Sequence, residues 1–320
     1  MTGWWRRPTD VSLILSLWIA VFIVQLRAAD TGHIESPEQG RSSQYVGADT
    51  CKMCHEDVFK DVQKTPHWNS VLKLKGGDKA HSCETCHGPG ADHVSAGGDK
   101  TKIFVFKGAS AQAIAERCLA CHNRREEIGH FEQSAHAGAG VSCTSCHSPH
   151  FAKEPHRLLA AKQPALCYQC HTEKVADFNK PFHHRVNEGL VRCSDCHNPH
   201  GAPLTRSLRA DAAADAVCFK CHRSLQGPFV FEHVPVKTEG CQACHDPHGS
   251  INPRLLKVNQ VNILCLQCHT PGVTPNTRAG EVNAPGTPNG PVHDQSAKFQ
   301  ACTMCHVQIH GSNADETFMK

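Results

Sequence analysis

Ten copies of the motif Cys-x-x-Cys-His use all 20 cysteines of this 320-residue chain. Each copy is typical of a c-type haem attachment site, where two thiols add to the haem vinyl groups and the adjacent histidine binds the iron. The sequence therefore predicts ten covalently attached haem c groups. The predicted attachment residues are Cys51, Cys54, Cys83, Cys86, Cys118, Cys121, Cys143, Cys146, Cys167, Cys170, Cys193, Cys196, Cys218, Cys221, Cys241, Cys244, Cys265, Cys268, Cys302 and Cys305.

Other uses of paired cysteines fit the pattern less well. A structural zinc site needs four ligands, commonly four cysteines or two cysteines and two histidines. A disulfide framework needs an oxidising compartment, and a thioredoxin-like dithiol occurs once beside a βαβ unit. None of these alternatives requires a histidine directly after every second cysteine, so the spacing favours haem.

The chain has enough histidines to give every iron a second ligand. Ten of its 25 histidines lie in the motifs, which we number 1 to 10 along the chain. The predicted proximal ligands are His55, His87, His122, His147, His171, His197, His222, His245, His269 and His306. Of the predicted distal ligands, five lie between an odd-numbered motif and the next, and five follow an even-numbered motif. They are His67, His136, His183, His233 and His293, and His93, His150, His200, His248 and His310.

Some distal assignments stay open at the level of the sequence. His183 competes with His184 for one position, and His183 is preferred because HHRVNEG aligns with HVPVKTEG, which puts it opposite His233. His130 remains as a substitute for His136, and His81 as a substitute for His67. The sequence does not say which distal histidine serves which iron. The remaining histidines have no assigned role; they are His33 and His156.

His150 and the methionines bear on what the irons can do. His150 is too close to His147 to reach the opposite face of the same haem, so it must reach a neighbouring one. Of the four methionines, Met53 and Met304 lie inside motifs and the others lie at the two chain ends, which argues against methionine ligation. Bis-histidine ligation throughout predicts low-potential haems without a substrate position.

Electron transfer is therefore the predicted function, and no catalytic residue is predicted. The protein would be an electron carrier, and what it contributes is the positioning and electronic tuning of its haems. The catalytic alternative is a multihaem reductase with one open haem. That alternative would require an iron whose distal position is vacant.

The motifs alternate between two local contexts, which predicts a repeat. Odd-numbered motifs follow helical runs such as DAAADAVCFKCH, whereas motifs 4, 6 and 8 are followed by Pro-His, where proline stops a helix. We predict five dihaem units, about 49–110, 111–160, 161–210, 211–258 and 259–312, within a decahaem domain spanning 49–312. The predicted fold is an elongated multihaem cytochrome c, mostly irregular, with short α-helices and little or no sheet.

The N-terminus predicts export. Arg6 and Arg7 precede an apolar stretch, VSLILSLWIAVFIV, that is short for a membrane span and is followed by Ala28 and Ala29. We expect a signal peptide over 1–29, a linker over 30–48 and a polar tail over 313–320. An uncleaved anchor is the alternative, because Arg27 lies near the cleavage site. The expected location is the periplasm.

The net charge and the expected length of the haem array indicate which partners the protein could have. The formal net charge is +3, but each haem would add two propionates, so no nucleic-acid partner is expected. At about 10 Å per haem, ten haems would extend over roughly 100 Å, more than the ~40–45 Å of a bilayer with its headgroups. The chain lacks a spanning segment after its signal. A role across a membrane would therefore need a separate porin-like sleeve.

The opening GADTCKMCHEDVFKDVQKTPH, the ten motifs and the CHxPH variants at motifs 4, 6 and 8 resemble the periplasmic decahaem c-type cytochromes of the MtrA/DmsE type. The resemblance covers roughly residues 45 to 312. It implies insertion into an outer-membrane porin-type β-barrel and electron exchange with an extracellular multihaem cytochrome or reductase, fed by a periplasmic or inner-membrane cytochrome. A soluble periplasmic shuttle to a terminal reductase and a subunit of an extracellular haem filament remain as alternatives.

Overall fold

The computed structural model describes residues 44–69, 83–125, 127–155, 157–209, 215–269 and 301–319. Within these ranges the chain forms short helices joined by turns. The α-helices are α1 (Ala48–Lys52), α2 (Glu56–Val62), α3 (Glu84–His87), α4 (Ala91–Ser95), α5 (Ala111–His122), α6 (Ala135–Gly138), α7 (Cys143–Cys146), α8 (Ala165–Tyr168), α9 (Glu173–Phe178), α10 (Cys193–Cys196), α11 (Ala216–Phe219), α12 (Val234–Thr238) and α13 (Val261–Leu266). Short 3₁₀ turns cover Lys100–Lys102, Phe131–Gln133, Thr205–Ser207, Arg223–Leu225, Cys241–Ala243, Pro253–Leu255 and Cys302–Met304.

The odd-numbered motifs 3, 5, 7 and 9 begin inside a helix. The clearest case is α5, where the Ser110 side chain accepts a hydrogen bond from the Ala113 N–H and an alanine-rich run leads into motif 3. The even-numbered motifs 4 and 6 are instead single helical turns, α7 and α10. Because a single turn is unstable by itself, these motifs depend on contacts outside the helix.

After motifs 4, 6 and 8 the chain folds back on the proximal histidine. Isolated antiparallel bridges join His147 to Leu159, His197 to Leu208 and His245 to Leu256. Within the described ranges, β-structure is limited to such isolated bridges. The prediction of a mostly irregular chain with short helices and little sheet is confirmed.

The apolar core is small. Within the described ranges, no side chain is completely enclosed, and ten apolar residues are buried. They are Val62, Ile114, Ala115, Phe131, Leu158, Leu159, Phe178, Val186, Leu208 and Val217. A chain of this length ordinarily buries most of its apolar surface. The protein part alone therefore supplies little of the apolar interior that holds a fold together.

Some predictions fall on residues outside the described ranges. They concern the signal peptide over 1–29, most of the linker over 30–48, and His33, His81, His156 and His293. In the described part of the chain, helices are all too short or too polar to cross a membrane.

Candidate haem centres

Nine of the ten motif histidines each face one other histidine ring. The ring centroids of these nine pairs are 6.0 to 6.4 Å apart. The pairs are His55–His93, His87–His150, His122–His67, His147–His200, His171–His136, His197–His248, His222–His184, His245–His310 and His269–His233. The tenth motif histidine, His306, is described, but its predicted partner His293 is not.

This spacing fits a metal ion between the two rings. An imidazole nitrogen lies about 2 Å from a bound metal and about 1 Å from its own ring centre, so two imidazoles on one metal have centres about 6 Å apart. Direct ring stacking would bring the centroids closer, and unrelated rings would show no common distance. The residues present therefore fit an iron held by two histidines.

The pairing follows a rule along the chain. Histidines between two motifs face the next odd-numbered motif, as His136 faces His171. A histidine that follows an even-numbered motif faces the histidine of the even-numbered motif before that one. For example, His200 follows motif 6 and faces His147 of motif 4. At the start of the array, His93 turns back to motif 1 and faces His55. Eight of the nine pairs therefore join neighbouring predicted units.

Backbone carbonyls hold the proximal rings of the even-numbered motifs. The Nδ1–H of His147 donates to the carbonyl of Arg157 at 2.8 Å, and His197 and His245 donate likewise to Arg206 and Arg254 at 2.9 and 2.7 Å. Because a carbonyl can only accept, Nδ1 must carry the proton and Nε2 is left free for a metal. His87 and His306 make the same bond to Phe104 and Thr317.

The accepting carbonyls belong to a short recurring segment, Arg-x-Leu, which the sequence prediction missed. It reads RLL, RSL and RLL at 157–159, 206–208 and 254–256. The middle residues Leu158, Ser207 and Leu255 have φ of 54°, 51° and 61°. A left-handed backbone costs a residue other than glycine roughly 1–3 kcal/mol, and such strain clusters at functional sites. In this protein each of these left-handed residues directly follows the arginine whose carbonyl orients the proximal ring.

Distal rings are aimed in the same way. His136 donates from Nδ1 to the carbonyl of Pro199 at 2.8 Å, and His184 donates to Pro247 at 2.7 Å. These prolines belong to the Pro-His pairs of motifs 6 and 8. Each of these two Pro-His pairs thus orients two predicted distal rings, one through the proline carbonyl and one through its own histidine.

His184, and not His183, faces a motif histidine. The ring of His184 lies 6.3 Å from that of His222. His183 has both nitrogens engaged, with Nδ1 donating to Lys180 at 2.5 Å and Nε2 lying 3.0 Å from the Glu188 carboxylate. This contact with Glu188 raises the pKa of His183. The sequence preference for His183 is therefore corrected in favour of His184.

Burial favours the neutral imidazole in many of these pairs. Loss of hydration disfavours the imidazolium ion and lowers the pKa of His200 to about 4. The same cause lowers the pKa of His67, His122, His150, His233, His248, His269 and His310. Neutral imidazole is the form that binds metals.

The cysteines bring consecutive motifs together. Within each predicted unit, the first cysteines of the two motifs lie close enough for one to shift the pKa of the other; the pairs are Cys51–Cys83, Cys118–Cys143, Cys167–Cys193, Cys218–Cys241 and Cys265–Cys302. Between units, the pKa of the second cysteine of an even-numbered motif is raised by burial and by cysteines of the next motif; the pairs of second cysteines are Cys86–Cys121, Cys146–Cys170, Cys196–Cys221 and Cys244–Cys268. The motifs therefore follow one another in space in chain order.

Among the described residues, one other group brings metal-binding atoms together, and it consists of Asp215, Cys218 and Cys241. Both oxygens of the Asp215 carboxylate lie 3.0 Å from the Cys241 N–H, so this side chain caps the segment that carries motif 8. Three ligands also fall short of the four that structural zinc uses. The cluster is better explained as part of the haem attachment sites.

Comparison with known proteins agrees with this geometry. A family model for the doubled CXXCH motif matches residues 136–176, 183–227 and 233–274. Each match joins an even-numbered motif to the odd-numbered motif after it. Together with the histidine pairs, these matches define a multihaem c-type cytochrome.

Similarity to known cytochromes identifies the family. The chain is 36% identical over 276 residues to the multiheme cytochrome MtrA of Shewanella baltica, with 83% of this chain and 79% of that protein aligned. The chain belongs to the family of multihaem cytochromes that includes MtrA. It is also 29% identical over 241 residues to the C-type polyheme cytochrome OmcC of Geobacter sulfurreducens, and 25% identical over 187 residues to OmcB of the same species. These alignments cover 74% and 55% of this chain but 28% and 20% of those longer proteins.

Family membership confirms the coarser functional predictions. The protein is an electron-transfer cytochrome with covalently bound haem c, and it is a carrier and not an enzyme.

Proposed function

We propose that this protein is a decahaem electron conduit that carries electrons through the periplasm and across the outer membrane inside a porin-type barrel. The observation that supports it best is the set of nine histidine pairs with centroids 6.0 to 6.4 Å apart. When bound between such pairs, haem iron supplies one-electron oxidation and reduction. The chain's own contribution would be two histidine ligands for each iron, which would leave no position for a substrate.

The same pairs give a ligand assignment for each motif. The proximal and distal ligands are the nine pairs named above, with His184 in place of His183. For motif 10 we propose His306 and His293. His306 supports this assignment because its Nδ1 donates to the Thr317 carbonyl, as the other proximal rings of even-numbered motifs do. In the described ranges, every predicted distal histidine except His183 already faces another motif.

Electrons would pass from motif to motif in chain order. The proximity of cysteines in consecutive motifs supports this path, since a thioether at each cysteine would place the edges of consecutive haems near each other. First cysteines influence each other's pKa within each unit, and between units cysteines of the next motif raise the pKa of the second cysteine of the motif before, at every step from motif 1 to motif 9. The same influence of Cys302 on Cys265 extends the path to motif 10.

The length of the haem array and the N-terminal sequence support the proposed cellular location. An array of ten haems at about 10 Å each exceeds the thickness of a bilayer. The apolar stretch after Arg7 is typical of a signal peptide, which supports a periplasmic location. The partners we propose are an outer-membrane porin-type barrel, an extracellular multihaem cytochrome or reductase, and a periplasmic or inner-membrane cytochrome donor.

The haem count is tested by intact-mass spectrometry of the exported polypeptide. We expect the mass of the chain plus ten haems. A mass that corresponds to far fewer haems would overturn the decahaem proposal.

The membrane role is tested by purification of the affinity-tagged full chain from its native host. We expect it in the outer-membrane fraction, together with a β-barrel that stays bound in high salt. Recovery from the soluble periplasm without a barrel would favour the shuttle. Homopolymers of the purified protein would favour the filament.

A further inference from the structure

The paired imidazole rings adopt two different mutual orientations. At motifs 3, 5 and 7 the ring planes cross at 64°, 59° and 66°. At motifs 2, 4 and 8 they are within 20° of parallel, and at motif 6 they are tilted by 33°. Crossed and nearly parallel pairs therefore alternate along the middle of the chain.

The ring that a backbone carbonyl anchors differs between the crossed and the nearly parallel pairs in the middle of the chain. At motifs 4, 6 and 8 the proximal ring is fixed by an Arg-x-Leu carbonyl. At motifs 5 and 7 the distal ring is fixed instead, by the carbonyl of Pro199 or Pro247. Anchoring of the distal ring alone does not make a pair crossed, because at motif 1 the Asp99 carbonyl anchors the distal His93 and the rings are 16° apart. At motif 9 the rings are 12° apart.

Ring orientation changes the electronic structure of a low-spin ferric iron. Two iron d orbitals stand perpendicular to the porphyrin plane and interact with the imidazole π systems. Parallel imidazoles both interact with one of these orbitals and separate the two in energy. Crossed imidazoles interact with one orbital each and leave them nearly equal in energy. Axial ligands and their hydrogen bonds are among the means by which a protein tunes haem iron.

We propose that two electronic classes of bis-histidine haem alternate from motif 2 to motif 8, and that motifs 1 and 9, whose rings are 16° and 12° apart, belong to the nearly parallel class. The crossed class is held by the pairs at His122, His171 and His222, and the nearly parallel class by those at His87, His147 and His245, with His197 closer to the second class. The inference rests on the proposed bis-histidine ligation and adds how the ligands are oriented. The carbonyls of Pro199 and Pro247 hold the distal rings of two of the crossed pairs, those at His171 and His222.

The two classes differ in electron paramagnetic resonance. The oxidised holoprotein at cryogenic temperature should show a rhombic low-spin signal from the nearly parallel haems and a strongly anisotropic signal with a large maximum g value from the crossed haems. A spectrum with the rhombic signal alone would overturn the inference but would leave bis-histidine ligation intact. A dominant high-spin signal would instead contradict the proposed function.

A variant connects one signal to one pair. His136→Met should remove one of the three crossed contributions and leave the rhombic signal unchanged. The matched variant His200→Met should reduce the rhombic signal alone, because it affects a pair whose rings are 13° apart. His130→Gln, at an exposed histidine, is the control and should change neither signal. Loss of rhombic intensity in His136→Met would overturn the assignment, and intact mass shows whether each variant has kept its haems.

Discussion

The ring of His150 lies 6.0 Å from that of His87, in the preceding predicted unit, although His147 is only three residues away in the sequence. Likewise, His200 faces His147 in the preceding predicted unit and not the nearby His197. Each such pair, once joined by an iron, would cross-link two separate parts of the chain. Because the protein's own apolar core is small, we infer that the folded state is held together largely by these cross-links.

Replacing His200 with methionine tests one cross-unit assignment by its potential. Histidine–methionine ligation raises the reduction potential of a haem above that of bis-histidine ligation. We expect His200→Met to raise the potential of one haem, the one attached at motif 4, and to leave all haems attached. A spectroelectrochemical redox titration measures this. A titration curve identical to that of the unchanged protein would count against His200 as a ligand.

His183 and His184 can be separated by substitution. His184→Ala should leave one iron without a distal ligand and produce a high-spin ferric signal and carbon monoxide binding. His183→Ala should produce neither, because the structure engages that ring with Lys180 and Glu188. If the adjacent ring replaces the missing one, the signal will appear only when both are changed. A high-spin signal in His183→Ala alone would restore the sequence-based preference.

The residue types of the haem centres were predictable from the sequence, whereas their pairing was not. The motifs and the distal histidines are visible because iron ligation and thioether formation need particular side chains. The choice of His184 depends on register, since Phe182 and Ser250 exchange two backbone hydrogen bonds just before it. The Arg-x-Leu carbonyls escaped the sequence prediction because every residue carries a carbonyl.

Attachment at motif 6 can be tested by mass. Replacing both Cys193 and Cys196 with alanine removes both thioethers, and the protein should lose one covalent haem. Intact-mass spectrometry under denaturing conditions measures the loss. The control is Met53→Leu, because Met53 lies inside motif 1 but its side chain is 77% exposed, and it should keep the full number. An unchanged haem count in the double alanine variant would contradict the attachment assignment.

Glu84 should stabilise the start of the domain. It is 2% exposed, and its carboxylate accepts hydrogen bonds from the backbone N–H groups of Val46, Gly47 and Gly90 at 2.7 to 3.2 Å. Removing a buried acceptor leaves its donors unsatisfied, which costs about 1–3 kcal/mol per group. We therefore expect Glu84→Ala to loosen the segment before motif 1.

Hydrogen exchange followed by mass spectrometry measures that loosening. Amides around Val46 and Gly47 should exchange faster in Glu84→Ala, whereas amides of α10, which lies in the third predicted unit, should be unchanged. Glu132→Ala is the matched control, because Glu132 is an exposed carboxylate outside the motifs. Equal exchange at Val46 in both variants would show that the buried carboxylate contributes nothing to holding this segment in place.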